Sequence, residues 1–108
     1  MLEDIESWLE KSYGDNNILL AYVTRQYADP TDNPDNEPGF LMPTMQMELI
    51  RRAVHTEEEF VNDNKLVWDM IREVTHKTDA WSIVKQFART NNGRSAYCAL
   101  VDLDALHF

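Results

Sequence analysis

WSIVKQFARTNNGRSAYCAL, residues 81–100, has the pattern of two short helices folded back on each other about one glycine. Trp81, Val84, Phe87 and Ala88 recur at spacings of three, three and one, which puts them on one face of an α-helix. Thr78 or Asp79 stands just before, where a side-chain oxygen can cap free backbone N–H groups. Lys85 and Arg89 fall on the other face and toward the C-terminal end, where positive charge is favoured. Asn91-Asn92-Gly93 then stops the helix. Glycine accepts the left-handed conformation that helix ends often use, and asparagine tolerates it better than most residues. Past Gly93, Ala96, Tyr97, Leu100, Val101 and Asp104 share a second face, apolar or aromatic except for Asp104. Small Ala96 and Ala99 would let the two backbones approach closely.

Arg94 directly follows the turn glycine. It can cap carbonyls of the preceding helix, pair with a carboxylate, or contact phosphate. One arginine in an acidic chain is a weak phosphate signal, so a structural cap or salt bridge is the reading adopted.

Upstream, Thr56-Glu57-Glu58-Glu59 has the form of a capping box, with Thr at the cap and Glu three residues later. The long helix expected after it carries Phe60, Asn64, Val67, Trp68, Ile71 and Val74 along one side and runs to about Thr75. Asp63, Lys65, Asp69, Arg72 and Glu73 fill the remainder. Asn64 interrupts the apolar line; once buried it needs partners and is suited to fixing the packing register. Residues 76–79 are a short connection, so the following helix turns back sharply.

A further helix is expected from Thr44 to near Val54-His55. Met45, Met47, Leu49, Ile50 and Ala53 mix two of its faces. Core filling is the ordinary role for these methionines; an adaptable binding face is the alternative. At the front, Leu2, Ile5, Trp8 and Leu9 form the apolar face of a short amphipathic helix with early acids. Gly14-Asp15-Asn16-Asn17 ends it. ILLAYV, residues 18–23, reads as buried strand or buried helix, and periodicity does not decide. Helix is favoured, because no second strand-like run exists to satisfy a lone strand's backbone. Residues 28–43, ADPTDNPDNEPGFLMP, hold all four prolines. They read as a loop in which Phe40, Leu41 and Met42 can anchor on the core. The DNPDNE run lacks the spacing and terminal bidentate glutamate of a calcium loop.

The expected fold is therefore all-α: one domain, a small bundle of about five helices with a long Pro/Asp-rich loop between the second and third. Residues 1–27 form an N-terminal helical pair, 28–43 the acidic loop and 44–108 the helical core. The last residues, 103–108, lack a cap and a polar tail, which suggests a chain cut from something longer.

With 108 residues and 44% hydrophobic composition the chain can bury one modest core. Its net charge is −9, and the asymmetry is marked. Residues 1–50 hold ten acids against two bases, whereas residues 51–108 hold nine against eight. Such a chain lacks the basic footprint that nucleic-acid binding needs, and it disfavours acidic membrane surfaces. No apolar run nears the ~20 residues of a membrane helix. The front of the chain has no basic-then-apolar signal region, and a cytoplasmic location is the default expectation. Cys98 is the sole cysteine, which excludes an internal disulfide and a thiolate zinc site; a partly buried structural thiol is expected there. His55, His76 and His107 do not share one helix face. No glycine-rich phosphate loop is present and no nucleophile has an evident base, so neither catalysis nor a cofactor or metal is expected.

Residues 48–100 also carry an ordered series of features. These are an ELI-R-A segment, Phe60, the Asp63-Asn64-Lys65 run before a hydrophobic helix, then Asp79-Ala80-Trp81 and a basic-aromatic helix. Asn92-Gly93-Arg94 then leads into an alanine-rich aromatic helix. This series resembles the N-terminal Gag-like region of Copia-type LTR-retrotransposon polyproteins. Trp8-Leu9, Ala21-Tyr22-Val23 and the Asp-Pro loop fit the same pattern more weakly. The resemblance implies a helical, non-enzymatic module that helps assemble the particle packaging the element's RNA. Nucleic-acid contact in such polyproteins usually belongs to a downstream zinc knuckle, whose ligands are absent from these 108 residues. Related sequences tend to have an aromatic-glycine exit after the alanine-rich helix; this chain has residues 102–108, DLDALHF, instead. The expected partner is a second copy or another protein, with no direct nucleic-acid or membrane contact in this segment. A helical adaptor with no retroelement role is the alternative. The residues expected to carry packing or interaction are Trp8, Phe60, Asn64, Trp68, Trp81, Phe87, Gly93, Arg94, Tyr97 and Leu100.

Overall fold

The structure, a computed structural model, describes residues 1–30, Asn36 and residues 44–105. The expected anchor at Phe40, Leu41 and Met42, most of the DNPDNE run, His107 and the last three residues lie outside those described. Five α-helices follow one another among the described residues: α1 (Leu2–Leu9), α2 (Thr44–Arg52), α3 (Glu58–Thr75), α4 (Trp81–Val84) and α5 (Gly93–Ala105). No strand is present among them; the nearest approach is an isolated antiparallel bridge between Tyr13 and Leu19.

The most extensive contact between elements is α3 against α5. α5 buries Gly93, Ala96 and Leu100, at spacings of three and four, so a single stripe faces inward. The stripe is small at its N-terminal end, and there the helices come closest. A Cβ built on Gly93 would lie 2.5 Å from the Asn64 carbonyl oxygen, 2.5 Å from the Trp68 amide nitrogen and 2.7 Å from the Val67 Cβ. Gly93 is thus required by backbone-to-backbone approach, not by a left-handed turn. Among the described residues the left-handed ones are Asn17 (φ 57°) and Asn91 (φ 51°), and no glycine has positive φ. The turn expected about Gly93 is therefore made at Asn91, while Gly93 opens α5.

Against this crossing pack Val67, Trp68 and Ile71 of α3, Ala80 and Val84 around α4, and Ile5 and Leu9 of α1, all buried. Full burial of each such aliphatic side chain stabilises by about 1.5–3 kcal/mol before the entropy of ordering is counted. Trp68 is only 2% exposed, and its ring centroid lies 6.1 Å from that of Trp81. α1 has the expected form: Ile5 and Leu9 inward, Leu2 and Trp8 partly buried, Glu3 and Asp4 in the first turn.

Several expectations need correction. ILLAYV forms only a single 3-10 turn, Leu20–Tyr22, in place of a longer second helix. Leu19, Leu20, Tyr22 and Val23 are nonetheless buried, so the apolar run is spent on core contacts. The helix expected from Trp81 to Ala88 is α-helical for four residues and then tightens into a 3-10 turn, Lys85–Phe87. Ala88 is exposed. The capping box is not formed: Glu57 occupies the N-cap of α3 without a side-chain cap bond. Thr78 does act near α4, where its Oγ1 accepts from the Ala80 N–H at 3.2 Å. Cys98 is exposed, not partly buried. Met45 is 75% exposed and Val101 39% exposed, so neither fills the core. No helix among the described residues is long and apolar enough to cross a membrane.

Candidate functional site

The residue run Asn64, Asn92, Gly93, Arg94 is brought together at the α3–α5 crossing. The Asn92 side-chain oxygen accepts from the Ser95 N–H at 3.1 Å, which caps α5. The Asn64 Nδ2 donates to that same oxygen at 3.2 Å, and the Asn64 Oδ1 accepts from the Arg94 N–H at 2.8 Å. Asn64 therefore meets two groups at the start of α5. It fixes the register of the two helices where an apolar side chain would leave an N-terminal N–H unpaired.

From the same end of α5 the Arg94 guanidinium reaches the front of the chain. Nη1 donates to the carbonyls of Val23 (2.8 Å) and Arg25 (2.6 Å), and Nη2 to that of Gln26 (3.3 Å). Its bonds go to carbonyls of the 23–26 segment, not to those of the preceding helix. Arg25 has the same kind of role in a more buried position. Its Nε donates to the Tyr27 carbonyl, Nη1 to Ile50 and Nη2 to Ala28. Ile50 lies in the last turn of α2, whose carbonyls lack intrahelical donors, so Arg25 closes that helix end. Burial, and next the neighbouring Arg94 charge, lower the Arg25 pKa from its ordinary value. Both guanidiniums are structural ties between segments about 25 to 70 residues apart in sequence.

A second polar cluster lies beneath the α1–turn connection. Asp63, placed among the outward-facing charges by the sequence reading, is fully buried. One carboxylate oxygen accepts from the Asp15 N–H at 2.9 Å, the other from the Tyr22 hydroxyl at 2.5 Å. Gly14 lies against the same carboxylate: a Cβ there would fall within 2.4–2.7 Å of its atoms. Burial, reinforced by the Asp63 carboxylate, pushes the Tyr22 phenol well above its ordinary pKa. The signal for Asp63 was its spacing, four residues before Val67 and eight before Ile71 on the buried side of α3.

His55 adjoins this cluster. Its ring stacks on Phe60 at 4.3 Å and 18°, and Nε2 lies 2.8 Å from the Tyr22 carbonyl. A neutral ring donates there, leaving Nδ1 buried without a partner. Burial pushes the His55 pKa down from 6.5 to about 4, and the charges of Arg25 and Arg94 act in the same direction. The folded state then binds its proton later than the unfolded one. Stability is present above pH 6.5 and is lost as pH falls toward 4. The shift caps the effect at about 3 kcal/mol, and solvent screening of a half-buried ring reduces it to about 1–2 kcal/mol. Urea unfolding of the protein and a His55→Gln variant at pH 7 and pH 4.5 measures this as a difference in slope. Equal pH slopes in the two proteins would contradict it.

The remaining expected residues serve packing. Tyr97 donates from its hydroxyl to Glu6 of α1 at 2.9 Å, and burial raises its pKa. Phe87 and Trp81 are half-buried against the core, with Trp81 also edge-on to His76 at 5.4 Å. Trp8 is half-buried in the same way, while Trp68, Gly93 and Leu100 lie inside. Of Trp8, Met45, Met47 and Trp68, only Met45 stands in the open. Leu49, which shares the mixed faces of α2 with Met45, is 38% exposed. Met45 and Leu49, with Ile18 and Ala53, make an apolar groove of about 580 Å³ along the outer side of α2, edged by Glu48 and Arg52. Among the described residues no group of three or more His, Cys, Asp or Glu side chains could hold a metal ion. No family model, no curated protein and no solved structure matches the chain.

Proposed function

We propose that this chain is a non-enzymatic assembly module that works by associating with copies of itself, the part a Gag-like region takes in a Copia-type retrotransposon polyprotein. The observation that carries the reading is the outward face of α2. There a methionine three-quarters exposed and a leucine stand beside an apolar groove, while Ile50 and Met47 hold α2 on the core. Large exposed apolar side chains gathered at one place are the usual mark of a protein-contact surface. The buried Asp63 and Arg25 and the half-buried Asn64 and Arg94 support the same view, since each is engaged in joining segments of the fold. The ordered series that resembles the Gag-like region includes Asn64, Gly93 and Arg94, the residues that make the α3–α5 crossing.

Sedimentation equilibrium over a concentration series from micromolar to millimolar tests the reading. The mass average is expected to rise with concentration. A strict monomer throughout would contradict self-association and favour the adaptor reading, in which α2 receives a foreign segment. The retroelement assignment is tested separately by the coding sequence beyond residue 108. A Cys-Cys-His-Cys knuckle followed by protease and polymerase motifs is the expected continuation.

A further inference from the structure

Resting on the self-association reading, we infer that two copies pair by exchange: α1, the 3-10 turn at Leu20–Tyr22 and α2 of each copy pack on α3, α4 and α5 of the other, while residues 53–57 straighten and join α2 to α3. The contacts divide the chain at this place. α2 packs mainly on the 3-10 turn, and its polar ties run the same way, from Gln46 to Leu19 and Asn17 and from the Ile50 carbonyl to Arg25. α3, α4 and α5 pack on one another. Between the two groups run the packing of α1 on α3, the Asp63 bonds to Asp15 and Tyr22, the Arg94 bonds to Val23, Arg25 and Gln26, and the Tyr97 bond to Glu6. A second copy supplies every one of these groups in the same arrangement. The exchanged contact needs no new surface and brings no new charges face to face, which makes it a low-cost route to a two-fold pair. Met45 and Leu49 take no part in it, so the pair carries their outward face twice.

The connection between α2 and α3 is suited to straightening. Ala53, Val54, His55, Thr56 and Glu57 include no glycine and no proline, so nothing in them breaks a helix. The start of α3 is not held by a cap: Glu57 makes no side-chain cap bond, and Thr56 is exposed. Among the described residues the backbone N–H groups of residues 54–59 meet no protein acceptor. In a joined helix of residues 44–75 each would meet the carbonyl four residues earlier. Arg25, which closes the end of α2, belongs to the same exchanged group, and a carbonyl accepts from two donors. His55 is the clasp of the closed connection, through its bond to the Tyr22 carbonyl and its stack on Phe60. That clasp holds Nδ1 buried without a partner, and straightening returns this nitrogen to water.

Glu58→Pro tells the closed chain from the joined helix. Glu58 is the first residue of α3, a position that accepts proline, and Glu57 before it is already extended at φ −96°, ψ 166°. In the joined helix the same proline loses its bond to the Val54 carbonyl and clashes with it. The full chain, Glu58→Pro and the charge control Glu58→Gln are refolded from urea at micromolar to millimolar concentration and sized by sedimentation. Wild type and Glu58→Gln are expected to dimerise. Glu58→Pro should keep the melting temperature of the monomer and raise the dimer Kd at least ~10-fold. A wild-type dimer made from equal amounts of isotope-labelled and unlabelled chain gives a second readout. An isotope-filtered Overhauser cross-peak is expected between the Tyr22 ring of one copy and the Phe60 ring of the second, the pair whose centroids lie 6.3 Å apart. If the wild-type chain dimerises and Glu58→Pro does so equally well, or no such cross-peak joins the copies, the exchange is wrong while the module reading stands. If the refolded wild-type chain is monomeric at every concentration, both fail.

Discussion

Gly93→Ala is expected to lower the unfolding free energy by at least ~3 kcal/mol, beyond the ~1–3 kcal/mol typical of overpacking by one methyl group. The added Cβ meets two backbone atoms of α3, the Asn64 oxygen and the Trp68 nitrogen, both at 2.5 Å. Backbone in mid-helix has no rotamer to change, so α3 and α5 must separate. Separation also lengthens the Asn64 bonds to Asn92 and Arg94, and it draws Arg94 from the Val23 and Arg25 carbonyls. Alanine's helix propensity opposes this by only about 1 kcal/mol. A domain of this size has roughly 5–15 kcal/mol in total, and each kilocalorie moves its melting point about 4–8 °C. A thermal melt of the variant should therefore fall by more than ~10 °C. A fall of less than ~3 °C would show that the helices do not approach as described.

Asp63→Ala is the second large effect. It strands the Tyr22 hydroxyl and the Asp15 N–H, the two donors that the buried carboxylate accepts from. The buried Tyr22 hydroxyl left unpaired costs about 1–3 kcal/mol and the part-buried Asp15 N–H less, for an expected loss of about 2–4 kcal/mol. The cost belongs to the pairing more than to the aspartate alone, and a double-mutant cycle separates the two. Tyr22→Phe on its own leaves a carboxylate oxygen without its donor. In the Asp63→Ala background the same change removes a donor already stranded. The double variant should thus lose at least ~1 kcal/mol less than the sum of the single ones, measured by urea unfolding. Additive losses would mean that Tyr22 and Asp63 are not partners.

The apolar periodicities made the helices legible. α1, α2 and α3 lie close to where the spacing of Leu2 to Leu9, Met45 to Ala53 and Phe60 to Val74 puts them. α5 begins at the glycine that marks the turn. Local pattern could not show how short α4 is, nor that residues 18–23 make one 3-10 turn, because both are set by what the chain must reach next. The segment after Tyr22 is held by the guanidiniums of Arg25 and Arg94, and that tie spans some seventy residues. Asp63 was misplaced because charge was read ahead of spacing; its burial depends on a hydroxyl and an amide from another part of the chain. Asn64 was correctly marked as needing partners, although the partner expected was a loop carbonyl rather than Asn92 and the Arg94 N–H. The Met45–Leu49 face was visible as mixed helix faces, but its openness depends on which side the core takes.

The fold rests on α3 and α5 touching backbone to backbone at Gly93. In a labelled sample, nuclear Overhauser spectroscopy examines that contact directly. A cross-peak between a Gly93 α-proton and the Trp68 amide proton is expected, since the Cβ position on Gly93 lies 2.5 Å from that nitrogen. Assigned spectra of the folded chain with both signals present and no such cross-peak would contradict the crossing.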